Sequence, residues 1–329
     1  MNSPSASAKK HNLRAIAAGV FFASAAAALG ATGAGDAGQT APPSATMLLS
    51  SLQWLLLAAT PPILALLWYR DVIRPGSFQR LGPRPTGPAS AVSWGSGAAL
   101  TYCVLLLAVG VVGLIAIPRL GGPESLAARA LPALVAYALA AAAAWAITGV
   151  LMGGQPKLSP GTGGGPRRLA RDVAKGLCAF GLAIPIIGSV SFGALLVYRW
   201  LSGTVPDPIA HDLLRTIVDR IGEPWTWGLI ASAVVGAPIV EEFIYRRFLQ
   251  TALLKATGRT WPAIMVTAAL FSLVHLAGSA NVPIHALATL FALGVGLGIV
   301  FERSRSLVVP IVVHMAFNAS NIALAVWGT

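Results

Sequence analysis

Apolar runs that are long enough to cross a membrane follow one another along almost the whole chain. They cover residues 13–31, 47–69, 95–117, 131–152, 173–198, 227–244, 261–277, 283–301 and 307–327. A transmembrane helix needs ~20 mainly apolar residues, whereas a strand of a membrane barrel needs about half that number. Because these runs are long and continuous, they predict helices. The pattern therefore predicts an all-α, polytopic transmembrane bundle of about eight helices plus an N-terminal leader or anchor helix.

The distribution of polar residues divides the chain into four predicted parts. Residues 1–46 form a leader, which is either a signal peptide or a signal anchor, followed by an outer linker. Residues 47–200 hold accessory transmembrane helices, and residues 201–226 form an extracytoplasmic amphipathic segment. Residues 227–329 form the last part. Most of the ionisable residues that interrupt apolar runs belong to this part, which makes it the expected location of a functional site.

Composition excludes a water-soluble protein. Hydrophobic residues make up 56% of the chain and charged residues 10%, against roughly 25% charged residues in average soluble domains. So few charges cannot solvate the surface of a soluble domain of this size. Both cysteines, Cys103 and Cys178, lie inside apolar runs, which is typical of packing residues. We therefore expect a multi-pass membrane protein whose first partner is the lipid bilayer.

The net charge of +12 is explained by where the basic residues fall. Most of the 23 Lys and Arg residues lie in every second connection between the apolar runs. Cytoplasmic loops of membrane proteins are enriched in Lys and Arg in this way. This bias predicts a cytoplasmic N-terminus and an extracytoplasmic C-terminus, and we expect no nucleic-acid partner. The Ala/Gly/Pro-rich composition favours a bacterial inner membrane as the location.

Two adjacent glutamates interrupt the sixth run. Glu242 and Arg246 are four residues apart with the acid first, which is the favourable order for an ion pair on a helix. Glu241 projects about 100° away around the helix and has no such local partner. An unpaired carboxylate at this depth suits a general base. The alternative is that both glutamates are structural and lie at a solvated helix end.

Three further polar residues follow in the next helices. Glu241 and His275 are each 17 residues from Gly258, where a turn is predicted, so on antiparallel helices they reach the same level. There they could share and activate a water molecule. His314 and Asn318 are four apart and share a helix face, which suits an oxyanion hole. The alternatives are a packing role for His275 and interhelical hydrogen bonding by Asn318.

A zinc site is a second chemistry open to these residue types. Glu241, His275 and His314 include the imidazole and carboxylate ligands that zinc accepts. The HExxH motif of zinc metalloproteases does not occur in the sequence.

The three motifs, taken in order, resemble the CPBP family, the CAAX-protease and bacteriocin-processing group also called Abi proteins. The family pattern is EExxxR, FxxxH and HxxxN, each in a transmembrane helix. Here the pattern corresponds to Glu241–Arg246, Phe271–His275 and His314–Asn318. The match extends over about residues 227–321, so residues 227–329 are interpreted as a CPBP-like protease core.

This resemblance implies an intramembrane glutamic endopeptidase related to the CAAX prenyl protease, a group historically called metalloendopeptidases. On this analogy Glu241 and His275 activate the water, His314 and Asn318 stabilise the oxyanion, and the Glu242–Arg246 pair supports the site. The substrate is then a peptide or a membrane protein. No cofactor is expected, and zinc bound by the three residues named above is the alternative.

A different class of function remains open on the sequence alone. The same buried Glu and His residues could belong to a non-catalytic membrane scaffold, to a bacteriocin-immunity type of protein or to a small transporter that relays protons. The complete set of Glu241, His275, His314 and Asn318 favours the enzyme, because a scaffold has no need of all four.

Overall fold

The structure is a computed structural model that describes residues 43–82, 84–154, 165–203, 212–278 and 284–328. Within these ranges the chain folds into helices joined by short connections, without strands. The first apolar run, residues 13–31, and most of the segment 201–211 lie outside the described residues.

Nine helices are described, and we number them in chain order. They are α1 (Pro43–Tyr69), α2 (Ala91–Arg119), α3 (Leu126–Met152), α4 (Pro166–Ser202), α5 (Asp212–Asp219), α6 (Pro224–Thr257), α7 (Thr260–Gly278), α8 (Ile284–Ser304) and α9 (Val308–Gly328). A short 3-10 turn, Gln79–Leu81, lies between α1 and α2.

The predicted polytopic all-α bundle is confirmed. Among the described residues, six helices are long and apolar enough to cross a membrane, namely α2, α3, α4, α6, α8 and α9. Helices α1 and α7 are apolar over shorter stretches. Large hydrophobic side chains such as Leu107 and Leu114 of α2 are exposed on the outside of the bundle, as expected for helices that face lipid. The protein is therefore a multi-pass membrane protein.

Helix α6 lies at the centre of the arrangement. Helices α2, α3, α7 and α9 all pack against α6. Helix α4 packs against α1, α8 and α9 and so closes the bundle from outside. The core between these helices is aromatic, with Trp94, Phe248, Phe271 and Phe301 all buried.

The basic loops meet at one end of the bundle. Arg84 pairs there with Glu302, the Lys255 ammonium donates to the Gly87 carbonyl, and Arg303 donates to the Val72 carbonyl. We call this the basic end; it comprises the connection 70–90 and the neighbouring ends of α6, α7 and α8. At the opposite end, Arg220 donates to the Glu124 carbonyl.

Helix α6 is longer than the hydrophobic pattern predicts. The apolar run ends near Ile244, but the helix continues to Thr257. The guanidinium groups of Arg246 and Arg247 are both buried against neighbouring helices. Hydrophobic length alone therefore gives the start of this helix but not its end.

Two π-helical segments interrupt α6, at Ser232–Gly236 and Phe243–Leu249. The first directly precedes Pro238, which has no N–H to continue the regular ladder. It also contains Gly236, where a Cβ would lie 2.8 Å from the Tyr137 ring of α3. Such π segments occur frequently at functional sites, and the predicted catalytic Glu241 and the predicted supporting Glu242 lie between these two.

Candidate active site

The ion pair of α6 is present and fully buried. Glu242 Oε2 lies 3.0 Å from Arg246 Nε, and neither side chain is exposed to solvent. The spacing of four residues brings the carboxylate and the guanidinium onto one face of the helix. Because the pair is neutral overall, it can be accommodated at this depth where a single charge could not.

His314 of α9 lies between the two glutamates. Its Nδ1 is 3.1 Å from Glu242 Oε1, and its Nε2 is 3.7 Å from Glu241 Oε2. A carboxylate held by Arg246 is an acceptor, so Nδ1 carries the proton that is donated to Glu242. Nε2 is thereby directed toward Glu241, whose side chain is 25% exposed. The spacing argument had grouped His314 with Asn318 and not with the glutamates.

His275 is oriented by its own helix. Its Nδ1 lies 2.8 Å from the Phe271 carbonyl oxygen one turn earlier. A carbonyl oxygen only accepts, so Nδ1 donates and the Nε2 of the neutral ring is the acceptor. His275 therefore has a nitrogen lone pair available for proton transfer, as its predicted role requires.

Phe271 is the shared neighbour of the site residues. Its buried ring meets the rings of His275 and His314 edge to face, with centroids 5.1 and 5.6 Å apart. The Arg246 guanidinium lies over the same ring at 5.2 Å from its centroid. One aromatic side chain thus packs against residues from all three motifs, a role that the motif spacing did not reveal.

Two tyrosines near Glu241 were also missed by the sequence analysis. The Glu241 carboxylate lies within electrostatic range of the Tyr137 and Tyr245 hydroxyls. Tyr245 belongs to the glutamate motif and packs edge to face on Phe271, so its position in that motif was a usable signal. Tyr137 comes from α3 and gave no signal, because nothing in its sequence neighbourhood is polar.

Asn318 is held by the first π segment of α6. Its Nδ2 donates to the Ala233 carbonyl oxygen at 2.9 Å. A π turn frees backbone carbonyls from the regular ladder, which explains why this acceptor is available. The amide nitrogen carries two N–H groups, and this bond uses one of them. His314 and Asn318 therefore both contact α6 from one face of α9.

The carboxylates approach His314 from opposite sides. Within the part of the chain that the structure describes, no three His, Cys, Asp or Glu side chains are grouped so that they could hold a metal ion. The two glutamates face different nitrogens of one imidazole, so they cannot bind the same ion together with that ring.

Comparison with known proteins identifies the segment that carries these residues. No curated protein and no solved structure matches the chain. Residues 223–320 match the family model for type II CAAX prenyl endopeptidases, described as Rce1-like. The matched segment contains all six predicted site residues, from Glu241 to Asn318. Residues 223–320 are therefore similar to the CAAX proteases, which confirms the CPBP family resemblance that the three motifs predicted.

Proposed function

We propose that this protein is an intramembrane endopeptidase that hydrolyses peptide bonds of membrane-associated peptides or proteins with a water molecule activated by Glu241. The observation that carries the proposal is the position of His314 between a buried, ion-paired Glu242 and a partly exposed Glu241. Two chemically identical side chains thus have different environments, and different environments are how a protein assigns different roles to two carboxylates.

Glu241 is the general base in this proposal. Its side chain is the more exposed of the two, and among the described residues its only ion-pair contact is His314. The carboxylate takes a proton from water while the water oxygen bonds to the carbonyl carbon of the scissile peptide. His275 assists with its acceptor nitrogen Nε2, which the contact to the Phe271 carbonyl leaves unprotonated in the neutral ring.

His314 and Asn318 stabilise the negative charge that moves onto the carbonyl oxygen. When His314 is protonated, Nδ1 donates to Glu242 and Nε2 is a second donor, and the imidazolium lies between two carboxylates. Asn318 contributes the N–H that its bond to Ala233 does not use. Preorganised donors of this kind stabilise the tetrahedral intermediate. Glu241 then transfers its proton to the amine nitrogen as the C–N bond breaks.

The depth of the site determines the class of substrate. Glu241 lies 17 residues after Pro224 and 16 residues before Thr257, near the middle of α6. Because α6 is long and apolar enough to cross a membrane, its middle lies at the depth of the hydrocarbon core. A peptide bond reaches this level only if its chain enters the membrane or is attached to it, so the substrate is a membrane-associated peptide or protein.

Proteolysis of a peptide library by the protein purified in detergent tests the proposal. Products are identified by mass spectrometry for the wild type, for Glu241→Gln and for the control Glu223→Gln, which removes an exposed carboxylate outside the site. We expect Glu241→Gln to lower turnover by ~100-fold or more while the thermal unfolding midpoint stays close to that of the wild type. A Glu241→Gln protein that keeps most of its turnover refutes the assignment, and a wild type that cleaves no member of the library refutes the activity.

A further inference from the structure

A second site is present at the basic end, away from the glutamates. A surface pocket of about 390 Å³ lies where the connection between α1 and α2 covers the ends of α6, α7 and α8. Arg84, Lys255, Thr260, Glu302 and Arg305 are among its lining residues. Lys255 follows Glu241 by 14 residues along α6, on the order of 20 Å, so the pocket is distinct from the candidate active site.

The one carboxylate in this lining is already neutralised. Arg84 Nε donates to Glu302 Oε2 at 3.0 Å, and Arg84 Nη2 donates to Glu302 Oε1 at 3.2 Å. The Gln250 amide also donates to Glu302 Oε1, at 2.9 Å. The negative charge of Glu302 therefore neutralises Arg84. No other carboxylate among the described lining residues neutralises Lys255 and Arg305.

Arg84 also has a nitrogen that lacks an acceptor. Its side chain is 4% exposed, and its Nη1 is buried with no hydrogen-bond partner among the described residues. Close to it, Arg247 is buried over the face of Trp94 and is within electrostatic range of Arg84. A buried guanidinium nitrogen without an acceptor is unfavourable, so an added acceptor in this region would stabilise it.

Lys255 and Arg305 are positioned by neutral groups. The Lys255 ammonium donates to the Gly87 carbonyl at 3.0 Å, and Arg305 Nη2 donates to the Gly82 carbonyl at 3.2 Å. Carbonyl contacts fix where a cation lies without removing its charge, and each group retains further N–H donors. Helix α7 also begins at Thr260 in the pocket wall, and the N-terminus of a helix adds positive potential.

We propose that this pocket binds a phosphate group, supplied either by an anionic phospholipid headgroup or by free phosphate. A phosphate presents several acceptor oxygens to separate cations at once, which fits Arg84, Lys255 and Arg305 around one volume. The pocket lies at the ends of membrane-spanning helices, beside Trp261, whose ring packs against Phe78 with centroids 5.3 Å apart. Tryptophan is enriched at the level of the headgroups, so a lipid phosphate can reach the site.

Binding of three probes to the full-length protein in non-ionic detergent tests this proposal. The probes are a short-chain phosphatidylglycerol, inorganic phosphate and a fatty acid of the same chain length, with affinity measured by titration calorimetry. The pocket variant is Lys255→Gln/Arg305→Gln. The matched control is Arg70→Gln/Arg74→Gln, which removes two exposed charges at the same end outside the pocket lining. We expect the pocket variant to weaken phosphate binding by ~10-fold or more and the control to bind like the wild type.

The pattern of binding identifies the source of the phosphate. Binding of the phospholipid alone assigns the pocket to a headgroup, binding of inorganic phosphate alone assigns it to the free ion, and binding of both assigns it to the phosphate group itself. The proposal is overturned if the wild type binds neither, if both double variants lose equal affinity, or if the fatty acid binds equally well. Lys255→Arg/Arg305→Lys keeps both charges and should retain binding, which separates loss of charge from loss of fold.

Discussion

His314 of α9 donates a hydrogen bond from Nδ1 to Oε1 of Glu242 on α6. The two atoms are 3.1 Å apart, and both side chains are buried. Because Glu242 also faces Arg246 at 3.0 Å, its carboxylate is held in place and can fix both the orientation of the imidazole and the proton on Nδ1. A buried carboxylate that orients a catalytic imidazole has the same effect in hydrolases of other folds. In the proposed mechanism Glu242 is thus a positioning residue that acts on the reaction through His314.

Removing one member of the buried ion pair should destabilise the protein strongly. Arg246→Met leaves Glu242 as a buried charge without its guanidinium, and we expect a loss of ~3–5 kcal/mol in the free energy of unfolding. The double variant Glu242→Gln/Arg246→Met removes both charges and should regain most of that loss. Unfolding titrations in mixed detergent measure both variants.

Turnover should separate the two roles of this pair. The double variant keeps an acceptor opposite His314 Nδ1 but lacks the Glu242 charge that stabilises the protonated ring, so we expect its turnover to stay ~100-fold or more below that of the wild type. A double variant that regains both stability and turnover would show that Glu242 and Arg246 serve the fold alone.

Part of this site could be predicted because it depends on local geometry. The Glu242–Arg246 pair follows from a spacing of four on a helix, and the turn at Gly258 follows from glycine's tolerance of positive φ, here 65°. The long apolar runs likewise predicted the transmembrane helices, since hydrophobic length alone determines whether a segment can span the bilayer.

The rest depends on contacts between distant segments. Nothing local to His314 indicates that Glu242 is its partner, and the burial of Arg247 depends on Trp94 of α2. The π segments also affect the prediction that Glu241 and His275 lie at the same level. That prediction assumed a uniform α-helical rise along α6, and a π segment has a different rise per residue. That match stays a prediction. The sequence signal for the first π segment was Pro238 just after Gly236.

Replacing Asn318 should affect the reaction more than the fold. Asn318→Asp loses both N–H donors and places a carboxylate against the Ala233 carbonyl. We expect kcat and kcat/KM to fall together by ~100-fold or more, because an oxyanion donor acts only in the transition state. Asn321→Asp, on the same helix three residues later, is the matched control and should cleave like the wild type. Equal kinetics for both variants would contradict the role of Asn318.

Activity should not depend on zinc. Among the described residues, Glu241, His275 and His314 are not grouped closely enough to hold a metal ion, whereas zinc requires its ligands within ~2.0–2.2 Å of a single point. We expect protein of full activity to contain far less than one zinc per chain and to keep its turnover in chelator. Elemental analysis alongside the cleavage assay measures both quantities. Stoichiometric zinc, with activity lost in chelator and restored by zinc alone, would make Glu241, His275 and His314 ligands.

The basic end should face the cytoplasm, since loops rich in Lys and Arg are retained on that side. Two exposed arginines provide a matched pair of positions at the two ends of the bundle. Arg259 follows α6 at the basic end, and Arg119 is the last residue of α2 at the opposite end. The native Cys103 and Cys178 are free and exposed, and they are first replaced by serine. Arg119→Cys should then react with an impermeant thiol reagent in intact cells, and Arg259→Cys only after the cells are opened. The reverse pattern would show that the bundle is inserted the other way, with the proposed phosphate pocket on the outer surface.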